Sequence, residues 1–252
     1  MKVANMTLIE ANAIGETGNV SEQRSTATRA KPAGAAELSL SLPSGRLHAL
    51  LNIIRRKLPA EASNPVLHFI SPAKGEGADV LAFETAYVAT LTGKRVLFID
   101  TKGDARRSVL KRLPIKATSS LNALVKDGAS THSPISTLPG TSLSIATLAD
   151  LDAKDGIFSD GPGHKKIFED LKSAFDMIVT YSESGMANSL AAILYGLADG
   201  AVLVAEAERT RLPVIRGLRS HVEMLGGRVL GVVLNKRRFH IPRLLYWMLF
   251  RS

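Results

Sequence analysis

A mostly parallel α/β sheet with helices on both faces is the fold class that the sequence predicts. Short apolar runs of strand length alternate with helix-length runs from about residue 43 to residue 235. A glycine-bearing loop joins the first of these strands directly to a helix, and 45% hydrophobic content with 5% aromatics fits a core of Leu, Val, Ile and Ala. The 252 residues suffice for one substantial core.

Residues 1–42 mix Ser, Thr, Ala, Gly, Glu and Lys without apolar periodicity and read as a disordered leader. From Ser44, Leu47, Leu50, Leu51, Ile54 and Leu58 recur at helical spacing until Pro59 ends the run. Val66–Ile70 reads as a buried strand, Val80–Thr92 as a helix, and Arg95–Asp100 as a second strand after the stop at Gly93. A short helix at Leu121–Val125, a strand at Leu143–Leu148, a helix at Lys165–Ala174 and a buried strand at Asp176–Tyr181 follow. Leu190–Leu197, Ala201–Ala205, Leu212–Leu225 and Val229–Leu234 continue the alternation. Parallel strands joined in this order require crossovers that cover both sheet faces.

The chain has no cysteine, which removes disulfides and thiolate metal sites. No apolar run approaches the roughly 20 residues of a spanning helix, and no secretory pattern opens the chain, so a cytoplasmic protein is expected. The formal charge of +9 is uneven, because no acid follows Glu223 while Arg228, Lys236, Arg237, Arg238, Arg243 and Arg251 do.

The segment Phe69–Val80 (FISPAKGEGADV) is strand, glycine loop and helix in succession, the arrangement in which backbone amides and a helix N-terminus hold phosphate. This is the basis for a P-loop NTPase-like fold. A working loop of that kind also needs GK[ST], with lysine neutralising the β- and γ-phosphates and the hydroxyl holding magnesium; Ala78 and Asp79 occupy those places. Asp79 in the first turn of a helix is favoured by the macrodipole by about 0.3–1 kcal/mol and brings negative charge where a phosphate needs positive.

Ser71–Gly77 (SPAKGEG) and Gly93–Asp100 (GKRVLFID) together resemble the bacterial tyrosine autokinases of capsule and exopolysaccharide synthesis, the BY-kinases. Leu197–Val204 (LADGAVLV) and Leu230–Lys236 (LGVVLNK) are similar to further segments of that family, so the resemblance covers roughly residues 45 to 240. It implies a nucleotide loop built from Ser71, Lys74, Gly75, Glu76, Gly77, Ala78 and Asp79, with Asp100 in the second acidic motif. The departures fall on chemistry. Lys102 stands where the resemblance implies a second aspartate, and Tyr181 where a metal-orienting aspartate belongs. Lys74, one position from the lysine that related ATPases use, is a poor substitute.

Each of these residues also has a plainer role. Gly75 and Gly77 suit a tight strand-to-helix turn, Asp100 a cap at a strand end, and Tyr181 a packed aromatic. The six histidines, His68 among them, show no ligand spacing. No serine lies beside a credible base.

The end of the chain, residues 236–252, reads as a basic amphipathic tail. Lys236, Arg237, Arg238 and Arg243 lead into an aromatic-rich stretch with the single tryptophan, Trp247. This composition fits either an anionic lipid surface or the cytoplasmic helices of a membrane protein, and a helix packed on its own domain is the plainer alternative. Nucleic acid is disfavoured because the aromatics cluster with aliphatics rather than alternating with cations. The family's tyrosine-rich tail is reduced to Tyr246, and its oligomerisation motif in the first helix to Arg46 at most.

The resemblance and the departures together lead to an expected regulatory pseudokinase without cofactor. It acts with a membrane polysaccharide co-polymerase of the chain-length-determinant type, peripherally at the inner face of the membrane. The alternatives are an active ATP-dependent autokinase or ATPase with an unorthodox loop, and a positioning protein of the cell-division or partition kind.

Overall fold

The computed structural model describes residues 8–10, 40–101, 135–148, 161–183 and 189–237, together with Leu110, Leu113 and Leu121. Its strands are β1 (Leu8–Glu10), β2 (Val66–Ser71), β3 (Val96–Asp100), β4 (Ser136–Thr137), β5 (Leu143–Thr147), β6 (Met177–Glu183), β7 (Gly200–Glu206) and β8 (Val229–Asn235). They form one sheet in the order β1-β8-β7-β2-β6-β3-β5-β4, parallel throughout except for β4 against β5. The helices are α1 (Ser44–Lys57), α2 (Ala78–Thr90), α3 (Gly161–Ala174), α4 (Ser189–Leu197) and α5 (Leu212–Met224).

Helix α1 turns Leu47, Leu50, Leu51 and Ile54 inward, and each such side chain contributes about 1.5–3 kcal/mol by leaving water. Arg55, Arg56 and Lys57 fill its last turn, where cations complement the helix dipole, and Leu58 leaves the helix extended ahead of Pro59. Helix α2 is buried around most of its circumference because the sheet takes one side and α1 packs on another. One core cluster joins α1 and α2 to the sheet. Two others, with Phe168, Leu171, Leu190 and Leu194 in one and Ile215, Leu218 and Val222 in the other, lie under α3, α4 and α5. Strand β2 is buried at all six positions, as its place between β7 and β6 demands.

Two of the family-like segments are held by carboxylates with structural roles. The Asp199 side chain accepts the Val66 N–H at 2.7 Å and the Lys172 ammonium at 2.8 Å, fixing the approach to β7 against the start of β2. Asp176 accepts the backbone N–H and the guanidinium of Arg95, each at 2.8 Å, and this pairing lowers its pKa to about 2.

The expected alternation of strand and helix is present, with boundaries displaced by a few residues. Within the span read as a leader, Leu8–Glu10 is a strand pairing in parallel with Val232–Leu234, while residues 1–7 and 11–39 lie outside the described residues. Three residues with no flanking periodicity give too little pattern to read. At the other end of that segment, the Ser41 hydroxyl donates to Glu84 of α2 at 2.8 Å, so the packed domain begins slightly before residue 43. Of the expected helix at Leu121–Val125, only the buried Leu121 is among the described residues.

Candidate functional site at the glycine loop

The loop between β2 and α2 needs two residues of left-handed backbone, Gly75 at φ 79° and Gly77 at φ 95°. At Gly77 the requirement is also steric, because a Cβ there would lie 2.4 Å from the Asn235 amide nitrogen. The Ser71 hydroxyl donates to the Ala73 carbonyl at 3.0 Å, tightening the turn as it leaves the strand. Ala78, the first residue of α2, is fully buried and belongs to the core. Asp79 is half-buried and accepts the Val80 N–H at 2.9 Å, while Lys74 is exposed.

The loop is fastened from several strands. The Asn235 side-chain amide donates to the Glu76 carbonyl at 2.9 Å, and the neighbouring Lys236 ammonium donates to the Gly75 carbonyl and, at 3.3 Å, to the Glu206 carboxylate. The Glu76 carboxylate, nine-tenths buried, accepts the Thr210 hydroxyl at 2.7 Å, and burial raises its pKa. On the other side the Gly75 N–H donates to a Glu183 carboxylate oxygen at 3.4 Å, so a side-chain anion of β6 faces the amide of the loop.

Beside the loop, the ends of β3 and β6 meet in a buried pair. The Tyr181 hydroxyl donates to the Asp100 carboxylate at 2.5 Å, with Tyr181 fully buried and Asp100 2% exposed. The Tyr181 ring stacks on Phe98 at 5.9 Å and 10°, and its backbone carbonyl accepts the Thr101 hydroxyl at 2.5 Å. Burial, followed by the adjacent negative charge of Asp100, pushes the Tyr181 phenol far above its ordinary range, so it stays a donor.

A second polar group lies deeper in the sheet. His68 is fully buried, with Nδ1 2.6 Å from the Thr180 hydroxyl and Nε2 3.0 Å from the Ser182 hydroxyl. Burial lowers its pKa to about 3 and raises that of Tyr195, edge-on to it at 5.7 Å, to about 12. The ring is neutral and satisfied by hydroxyls, with no metal ligand beside it. Among the described residues no cluster of metal-ligating side chains occurs.

The sequence-predicted residues Ser71, Lys74, Gly75, Glu76, Gly77, Ala78, Asp79, Asp100 and Tyr181 thus gather at the carboxyl ends of β2, β3 and β6. Lys102, Arg238, Arg243 and Trp247 lie outside the described residues. Lys236, read as part of a membrane or partner contact, has its ammonium on the loop, while Arg237 is exposed beside it. Sequence reasoning missed Glu183, Glu206, Thr210 and Asn235 as loop partners. The one available signal was that each lies at or just past the carboxyl end of a strand in a parallel sheet, which is where such a site forms.

No family model matches the chain. It is 27% identical over 183 residues to the succinoglycan biosynthesis transport protein ExoP of Rhizobium meliloti, covering 70% of this chain but only 23% of that protein. It is 26% identical over 176 residues to the tyrosine-protein kinase CpsD of Streptococcus agalactiae, covering 69% of this chain and 76% of that one. In three dimensions it matches the kinase domain of the Escherichia coli tyrosine kinase ETK with a TM-score of 0.63 at 14% identity, over 82% of this chain and 86% of that one.

Proposed function

We propose that the chain, similar in sequence to ExoP and CpsD and in fold to a tyrosine kinase domain, is a non-catalytic, regulatory member of the BY-kinase family of bacterial polysaccharide biosynthesis. It acts with a membrane polysaccharide co-polymerase in the synthesis or export of an exopolysaccharide. The observation that carries this reading is the Tyr181–Asp100 hydrogen bond, which places a neutral phenol against the carboxylate that a magnesium ion would need. Magnesium–ATP does not fit the neighbouring residues either. Ala78 contributes no cation, Asp79 adds negative charge at the helix start, and Glu183 already faces the Gly75 amide. The co-polymerase as partner rests on kinship with the transport protein ExoP.

Calorimetry of the purified protein with magnesium–ATP should show no micromolar binding, and no phosphotyrosine should form. Ala78→Lys with Asp79→Ser should not create activity, since Tyr181 would still fill the acidic site. A clear isotherm abolished by Lys74→Ala would overturn the reading in favour of an active enzyme.

The membrane component of the proposal rests on residues 236–252. Among the described residues no helix is long and apolar enough to cross a membrane, so attachment is assigned to the basic, aromatic end of the chain. Removing residues 239–252 should release the protein from membranes and leave its cooperative melting transition in place. Aggregation and loss of that transition would make the segment part of the core instead.

A further inference from the structure

We infer that the amino-terminal edge of the sheet carries a binding site for a small organic phosphate, built from Arg55 and Lys94 beside an apolar wall. A cavity of about 230 Å³ opens where the last turn of α1 meets the starts of β2, β3 and β6. Leu58, Pro65 and Met177 form the apolar wall, Ser63 supplies a hydroxyl, and Arg55 and Lys94 are the charged members. No acidic side chain lines it. The glycine loop stands at the opposite, carboxyl ends of the strands, so the two sites are separate.

Backbone bonds fix the walls. The connection from Pro59 to Pro65 is folded on itself, with the Ala62 N–H donating to the Pro59 carbonyl at 3.1 Å and the Ser63 N–H to the Glu61 carbonyl at 2.9 Å. Its end is tied to the sheet and to α3, since the Ile178 N–H donates to the Pro65 carbonyl at 3.0 Å and the Asn64 amide to the Lys172 carbonyl at 2.9 Å. The Lys94 carbonyl in turn accepts the Ser142 hydroxyl at 3.2 Å. The cavity is therefore formed before any ligand arrives, which spares binding an ordering penalty.

Charge sets the class of ligand. Arg55 and Lys94 make no ion pair among the described residues. Asp176, which precedes Met177, is matched by Arg95 at 2.8 Å, and Glu61 is exposed and outside the lining. Two unmatched cations, one from α1 and one from the turn ahead of β3, suit a phosphate monoester, with its charge of about −1.5 to −2 at neutral pH, better than a single carboxylate. The volume is below the roughly 300–1,000 Å³ of drug-sized sites, so the body attached to the phosphate is no larger than about one ring.

Phenyl phosphate, one ring joined to one phosphate, is the probe. Calorimetric titration of the full chain should show saturable binding at one site, with inorganic phosphate and phenol each weaker by roughly tenfold or more. Arg55→Gln and Lys94→Gln should each weaken phenyl phosphate by roughly tenfold, the effect of one lost charge-assisted hydrogen bond, and leave the melting temperature of the free protein unchanged. Arg56→Gln, which removes a neighbouring cation outside the lining, should leave the affinity unchanged. Equal weakening by Arg56→Gln would make the attraction diffuse and overturn the site. Full affinity in the Arg55→Gln, Lys94→Gln double variant would place the anion elsewhere, with the same result. Benzoate bound as tightly as phenyl phosphate would overturn the phosphate assignment, and inorganic phosphate bound as tightly would reduce the cavity to the site of an adventitious ion only. Absence of saturable binding would remove the inference and leave the proposed function untouched.

Discussion

Replacing Tyr181 with the aspartate that the family resemblance puts there is expected to destabilise the protein by about 3–5 kcal/mol at neutral pH, the range for emptying a buried aromatic site. The ring is fully buried against Phe98, so its loss leaves a void under the loop. The new carboxylate would also stand near Asp100, where the phenol now donates a hydrogen bond at 2.5 Å, and two buried like charges repel. In urea unfolding, Tyr181→Asp should therefore regain part of its deficit under mildly acidic conditions, where one carboxyl takes up a proton and donates to the other. Tyr181→Phe keeps the ring and loses only the charge-assisted bond, about 1.5–3 kcal/mol. Magnesium should rescue neither variant. Stabilisation of Tyr181→Asp by millimolar magnesium would mean that an ion site around Asp100 is blocked by the phenol alone, and the same stabilisation of the unaltered protein would take away the main support of the non-catalytic reading.

The second large effect concerns acid. His68 is neutral in the fold, with a pKa lowered to about 3 from 6.5 by burial. The unfolded chain takes up this proton first as pH falls, so the stability due to neutral His68 is complete above about pH 6.5. It is lost progressively between there and about pH 3, at a limiting rate of about 1.4 kcal/mol per pH unit. His68→Gln retains a neutral side chain able to meet the Thr180 and Ser182 hydroxyls, and should flatten the stability–pH curve across that window by about one proton. Chemical denaturation at a series of pH values measures the slope directly. An unchanged slope would show that the imidazole does not resist protonation in the folded state.

Much of the sheet was legible because its strands are uniformly apolar runs such as Val66–Ile70, and because each helix is bounded by a breaker such as Pro59 or Gly93. The glycine loop was legible for a similar reason: two glycines between strand and helix have few other uses. Strand β1 was not, since a three-residue strand owes its existence to the open edge of β8 and not to its own pattern. The loop's partners were hidden differently. Glu183, Thr210 and Asn235 sit more than a hundred residues from it in sequence, and only the parallel sheet, by gathering strand ends along one edge, brings them within hydrogen-bonding distance. Tyr181 was read as a packed aromatic and is one, but its hydrogen bond to Asp100 required the pairing of β3 with β6 to become visible.

The order of the sheet also dictates when the protein can fold. Strand β2 occupies the centre, yet its two neighbours, β6 and β7, are synthesised more than a hundred residues later, and the loop is fastened by Asn235 and Lys236 later still. A nascent chain therefore carries an apolar, unpaired Val66–Ser71 until β6 has been made, and its glycine loop cannot set until β8 has left the ribosome. Non-local pairing of this kind slows folding and exposes the central strand to mispairing in the meantime. Protection of the Gly75–Gly77 amides should thus be among the last events to appear in refolding, after the helices have gained theirs.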